Sequence, residues 1–168
     1  MVTTERKAFV AAARAAGVLV ESMPARADAV ASISRLAEPE RIAAGATAAE
    51  LVPPGAMVEA ASHDIAAAEV GVSLGHLGVA ETGGVMLLGT TPAARLSAVL
   101  PAVHVVVLDA ARIVPGLEDA LSEVARLRDA GVPYVTMITG PSRTADIERV
   151  ITVGAHGPRE LRILLVGG

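Results

Sequence analysis

The sequence predicts an α/β domain with a mostly parallel sheet flanked by helices, and three observations carry that expectation. Short apolar runs alternate with segments of helical composition, as in chains that wind helices over a parallel sheet. The run Val103–Leu108 is apolar but for His104, the pattern of a strand buried on both faces. Of the 168 residues 52% are apolar, yet the only aromatics are Phe9 and Tyr134. The core must therefore be aliphatic. A chain of this length buries about 70% of its extended surface on folding, enough for one core without metal or disulfide staples. No linker or internal repeat divides it, so residues 1–168 read as a single domain.

The elements follow in order. Thr3 and Thr4 offer an N-cap, Ala8–Ala16 are mostly strong helix formers, and Gly17 stops the run. Phe9 and Val10 are expected to pack inward. Val18–Val20 reads as a short strand. Pro24 suits the first turn of a second helix, with Val30, Ile33 and Leu36 at helical spacing. Residues 38–62, broken by Pro39, Gly45, Pro53-Pro54 and Gly55, suggest only short strands near Arg41–Ala44 and Met57–Ala60. Val70–Leu74 is apolar. Gly78-Val79-Ala80 and Val85–Leu88 flank Glu81–Gly84 as the arms of a hairpin would. Ala93–Leu100 has helical composition and is stopped by Pro101.

Val103–Leu108 is the next strand, and Pro115 opens a helix with Leu117, Ala120, Leu121, Val124 and Leu127 on its apolar face. Acids lead that helix and Arg126 and Arg128 close it, which suits the helix dipole. Val132–Thr139 is a strand, Gly140-Pro141 a turn, Thr144–Ile151 a short helix and Leu161–Val166 a last strand.

Composition excludes several chemistries. With no cysteine the chain has no thiol nucleophile, disulfide or thiolate-held cluster of its own. Lys7 is the single lysine, which removes a P-loop lysine or an imine-forming lysine inside the fold. A net charge of −4 argues against a general nucleic-acid binder. No uncharged stretch reaches the ~18 residues of a membrane span, and the chain reads as soluble and cytoplasmic. The second half is charge-balanced whereas the first is acidic, so anions are expected to meet arginines in the second half.

Common motifs fail. Gly71, Gly75 and Gly78 do not form the dinucleotide fingerprint. Ser62-His63-Asp64 names a triad, but consecutive residues cannot adopt triad geometry; the stretch reads as a polar loop or helix start. His63, His76, His104 and His156 are scattered, without the spacing of a metal site.

Three segments remain. In Val79–Val85, Glu81 and Thr82 stand at a bend followed by Gly83 and Gly84. In Ile138–Glu148, a strand ends at Gly140-Pro141 and leads through Ser142, Arg143, Thr144 and Asp146 into the expected helix. Its N-terminus would bind an anion that Arg143 clamps. In Val153–Glu160, His156 precedes Gly157 just before the last strand. Glu81 and His156 are thus the candidate acid/base groups. The candidate ligand contacts are Thr82, Gly83, Gly84, His104, Gly140, Ser142, Arg143, Thr144, Asp146 and Gly157, with no metal site. The alternatives are a solvated turn for Glu81, plain capping at Ser142 or Thr144, and a satisfied core residue for His104.

Taken together, Ala80-Glu81-Thr82-Gly83, Leu100-Pro101-x-x-His104, Arg112-Ile113-Val114-Pro115, Gly140–Glu148 and His156-Gly157-Pro158 resemble the LUD-domain family of YkgG-like lactate-utilisation proteins. The resemblance runs from about Val70 to Val166. Gly84 stands where the family's Glu-Thr-Gly-Thr pattern ends in threonine, and the N-terminal third is shorter and more divergent. The resemblance implies a NagB/RpiA/CoA-transferase-like fold and a place in a cytoplasmic system that oxidises L-lactate to pyruvate. It implies iron–sulfur clusters in cysteine-rich partner subunits and no cofactor on this chain. Two expectations stay open: a non-redox component that binds a small carboxylate or phosphate or docks those partners, and a stand-alone enzyme on an anionic metabolite using Glu81 or a histidine.

Overall fold

Six parallel strands form the spine of the structure, a computed structural model that describes residues 4–141, 143–145, 151–153 and 157–167. They are β1 (Leu19–Met23), β2 (Ile42–Ala44), β3 (Met57–Val58), β4 (Val70–Val79), β6 (Val103–Asp109) and β11 (Glu160–Val166), in the order β1-β11-β6-β4-β2-β3. Three more strands complete a nine-stranded sheet. β5 (Gly84–Leu88) turns back antiparallel on β4, β8 (Val135–Ile138) pairs antiparallel with β5, and β7 (Ile113–Val114) pairs parallel with the end of β4.

Helices cover both faces. On one, α1 (Thr4–Ala15) drives Phe9 and Ala13 onto Val106, Leu108, Ile163 and Leu165. On the other, α2 (Arg26–Ile33) and a 3-10 turn at Ala46–Leu51 bury Ala29, Ile33, Ala48 and Leu51 against Val70, Val72, Val105, Val107 and Leu164. Successive β6 residues thus feed opposite cores, which is why Val103–Leu108 has no polar alternation. α3 (Ser62–Ala67) and α4 (Pro92–Ser97) close a smaller cluster around Ala43, Ile65 and Ala93. α5 (Leu117–Asp129) packs Ala120 and Leu127 on Leu77, Val79 and Met86.

Three expectations change. Pro24 and Pro115 do not open their helices; Ala25 and Gly116 are the N-caps, each donating its backbone N–H to the aspartate three residues on, Asp28 at 2.9 Å and Asp119 at 3.1 Å. Leu121 of α5 is 61% exposed rather than buried. The third change bears on function. Instead of a helix over Thr144–Ile151, β9 (Arg143–Ala145) and β10 (Ile151–Val153) form an antiparallel pair with Thr152 opposite Thr144. The consecutive β-branched residues Ile151-Thr152-Val153 favour a strand over a helix. Arg143 therefore does not stand at a helix N-terminus.

β4 carries a further irregularity. Gly75 faces Leu87 of β5 and Leu77 faces Met86, leaving His76 as an extra residue in a β-bulge. The bulge inverts the strand's alternation. Before it, Ser73 and Gly75 point toward the α1 side; after it, Gly78 and Ala80 do.

Candidate functional site

The sequence-predicted residues have definite places. Glu81 is exposed, and its Oε2 accepts a hydrogen bond from the Leu117 backbone N–H at 3.0 Å. Its carboxylate thus sits at the positive N-terminus of α5. Thr82 Oγ1 accepts from the Gly84 N–H at 3.2 Å within the turn. Gly83 has φ +67°, and a Cβ there would lie 2.1 Å from the Ala13 backbone nitrogen, so only glycine lets the turn reach α1. A Cβ on Gly84 would meet Thr139, and one on Gly140 would meet the Ala16 carbonyl. Glu81–Gly84 and Gly140 are therefore gathered near the C-terminal end of α1.

His104 and Gly157 lie elsewhere. His104 is the second residue of β6, level with Gly71, and Gly157 precedes β11. Both belong to the amino end of the parallel strands, whereas Glu81 follows the carboxyl end of β4. His104 is 1% exposed and pairs through Nε2 with Ser73 Oγ at 2.9 Å. Burial lowers its pKa from 6.5 to about 4, so it is a neutral core histidine. Ser142, Asp146 and His156 lie outside the described residues, and Arg143 and Thr144 are described only by their strand pairing.

The carboxyl ends of the parallel strands gather a different set, in the place where open α/β sheets hold ligands. Register sets Met23 beside Val166, Val166 beside Asp109, and Gly75 beside Leu108. His76, Asp109 and Met23 are therefore level across the sheet. Three residues beyond Met23 the chain starts α2 with Arg26. Three residues beyond Asp109 it ends a 3-10 turn, Ala110–Arg112, with Arg112. Arg26, His76, Asp109, Arg112 and Thr47 line a cleft of about 140 Å³. Two local devices hold this geometry: Asp109 Oδ1 caps its turn by accepting from the Ala111 N–H at 2.9 Å, and the bulge releases His76 from pairing with β5.

Electrostatics favour an anion in this cleft. Among the described residues the Arg26 guanidinium has no ion-pair partner. Arg112 donates through Nε to the His76 carbonyl and lies alongside the imidazole, with Nη2 at 3.3 Å from Nε2. His76 Nε2 meets Glu123 Oε1 at 2.5 Å, and both side chains are about 85% buried, with exposures of 15% and 16%. Arg126 clamps the same carboxylate with two bonds of 2.7 Å. The Arg126 clamp, then the His76 contact, hold the Glu123 pKa down from 4.5 to about 2. Glu123 is thus ionised and already engaged by Arg126 and His76. The arrangement can grip a carboxylate between two guanidiniums and present an oriented imidazole to the group beside it.

The cleft adjoins a second, apolar cavity of about 260 Å³, with which it shares Thr47, Leu74 and Leu88. Sequence reasoning missed Arg26, Thr47, His76, Asp109 and Arg112 as site residues. Asp109 and Arg112 do carry a signal: an acid and an arginine just past the most apolar strand. Arg26 joins them only through the parallel pairing of β1 with β11.

These features define a mixed α/β protein with a mostly parallel sheet and a basic cleft at its strand ends. The LUD domain model matches residues 10–166, and the chain belongs to that family. The same fold occurs in the crystal structure of a DUF162 family protein from Deinococcus radiodurans. The match has a TM-score of 0.74 over 97% of this chain and 96% of that one, at 21% identity. The chain is also similar to protein NMB1437 of Neisseria meningitidis, 36% identical over 99 residues, 58% of this chain and 42% of that protein. It is 35% identical to lactate utilization protein C of Bacillus subtilis over 103 residues, 59% of this chain and 42% of that protein. It is 33% identical to YkgG of Escherichia coli over 102 residues, 59% of this chain and 44% of that protein. The matched part spans less than half the length of these relatives. Among the described residues no helix is long and apolar enough to cross a membrane.

Proposed function

We propose that this chain is a non-redox component of a system that oxidises L-lactate to pyruvate, and that it holds a small carboxylate in the cleft between Arg26 and Arg112. The observation that carries the reading is the placement of these two arginines. Each stands three residues past the end of a parallel strand, and both line one cleft with His76 of the bulge. The names of the Bacillus subtilis and Macrococcus caseolyticus relatives, lactate utilization protein C, support the pathway. On this reading, electron transfer through iron–sulfur clusters falls to cluster-bearing partner subunits, in keeping with a sequence that holds no cysteine.

Two experiments test it. Titration calorimetry with L-lactate and pyruvate should show binding that Arg112→Ala weakens roughly 10- to 150-fold, the worth of a charge-assisted contact. Equal affinity in the variant rejects the cleft. Disruption of the gene in its host should abolish growth on L-lactate and leave growth on pyruvate intact; unimpaired growth on lactate rejects the pathway.

The His76–Glu123–Arg126 chain favours a second reading, a stand-alone enzyme on an anionic metabolite with His76 as general acid/base. A base oriented by a third group is the usual arrangement of such catalysts. On this reading, Glu123→Gln lowers turnover of the isolated chain and leaves ligand affinity nearly unchanged.

A further inference from the structure

The polar cleft and the apolar cavity share three wall residues, Thr47, Leu74 and Leu88, so the two lie side by side. Their linings differ sharply. The cleft carries Arg26, His76, Asp109 and Arg112. The cavity is walled mainly by Val72, Leu87, Leu96, Ala98 and Val99. Its one charged lining residue, Arg95, is already engaged. Nη1 donates to the Gly89 carbonyl at 3.1 Å, and the guanidinium lies over the Tyr134 ring, 4.3 Å from its centroid. Arg95 therefore offers the cavity its aliphatic stem rather than its charge.

A three-carbon acid fills only one compartment. At roughly 30 Å³ per water-sized group, the cleft's 140 Å³ suits about five such groups, and the cavity's 260 Å³ has room for about nine more. Polarity runs one way across the two, from two guanidiniums at the sheet's carboxyl end, past the shared hydroxyl residue Thr47, to leucine and valine beyond.

We infer that cleft and cavity together are one elongated site for aliphatic 2-hydroxy or 2-oxo acids longer than three carbons. It rests on the reading of the Arg26–Arg112 cleft as the carboxylate subsite. The carboxylate lies between Arg26 and Arg112, the C2 oxygen lies toward His76 and Thr47, and the alkyl chain enters the cavity against Leu74, Leu88 and Val99. A hydroxy acid with a tail of several methylenes buries that tail, whereas lactate leaves the cavity without an apolar occupant.

The test is calorimetric titration of the full chain with L-lactate, 2-hydroxybutyrate, 2-hydroxyhexanoate and 2-hydroxyoctanoate. Burial of each methylene is expected to tighten binding about fourfold, so 2-hydroxyhexanoate should bind roughly 50-fold more tightly than lactate. Ala98→Leu fills the cavity and should flatten the series while leaving lactate affinity unchanged. Thr136→Leu narrows the same cavity from an exposed strand position, and serves if the first variant melts early. Arg112→Ala should weaken every member by a similar factor. A flat series with Arg112-dependent lactate binding overturns the elongated site and leaves the carboxylate cleft standing. Chain-length dependence that survives both cavity variants also overturns it. Binding that no arginine variant alters overturns the cleft reading and the inference with it.

Discussion

Acidification is expected to weaken this fold through a single buried ring. His104 is 1% exposed, its Nε2 pairs with Ser73 Oγ at 2.9 Å, and burial lowers its pKa from 6.5 to about 4. The unfolded chain accepts a proton on this imidazole near pH 6.5; the folded chain refuses it until near pH 4. The depressed folded pKa favours the neutral ring, so this contribution is complete above about pH 6.5 and is lost as the pH falls toward 4. Linkage makes the loss about 2 kcal/mol at pH 5 and about 3 kcal/mol at pH 4. That is a large part of the roughly 5–15 kcal/mol that holds a domain folded. Urea unfolding at pH 8, 7, 6 and 5, on the wild type and on His104→Leu, isolates the effect from other titrating groups. At pH 8 the variant should be weaker by about 1–3 kcal/mol, because Ser73 loses its partner. Between pH 8 and 5 it should lose about 2 kcal/mol less than the wild type. Parallel pH profiles for the two proteins would refute a buried neutral His104.

Other consequences are as specific. Glu123, held near a pKa of 2 by Arg126 and His76, should contribute stability that is complete above about pH 4.5 and lost as the pH falls toward 2; Glu123→Gln should flatten acid unfolding in that window, and an unchanged profile counts against the clamp. Glu81→Gln weakens the charge at the start of α5 and is expected to lose about 0.5–1 kcal/mol, read as a melting shift of about 1–4 °C. Gly83→Ala must force a Cβ into the Ala13 backbone at a positive φ; a loss of about 3 kcal/mol or more is expected by denaturant titration, and wild-type stability would contradict the observed packing.

The fold was legible where a single physical signal dominated. Val103–Leu108 read as a doubly buried strand because, His104 apart, it is apolar throughout, and Glu81–Gly84 read as a turn because its polar pair and two glycines lie between two apolar runs. Ser62-His63-Asp64 read as a polar loop or helix start, and it opens α3, with His63 and Asp64 paired at 3.2 Å on the surface. Local reading failed where two signals competed. At Thr144–Ile151 the turn and capping residues suggested a helix, while the β-branched residues at its far end carried the segment into strand pairing. The candidate cleft was harder still. Arg26 and Arg112 are 86 positions apart, and what unites them is the parallel register of β1, β11 and β6. The role of His76 depends on a one-residue bulge that no periodicity announces. The residues that looked chemical in sequence, Glu81 and Thr82, have backbone partners that already account for their placement.

The most direct test of the carboxylate cleft is a crystal structure of the protein soaked with L-lactate or pyruvate. The geometry predicts the carboxylate within hydrogen-bonding distance of both Arg26 and Arg112, with the C2 oxygen facing His76. A carboxylate bound instead at the Glu81–Gly84 turn beside Gly140, with Arg26 and Arg112 still solvated, would contradict it.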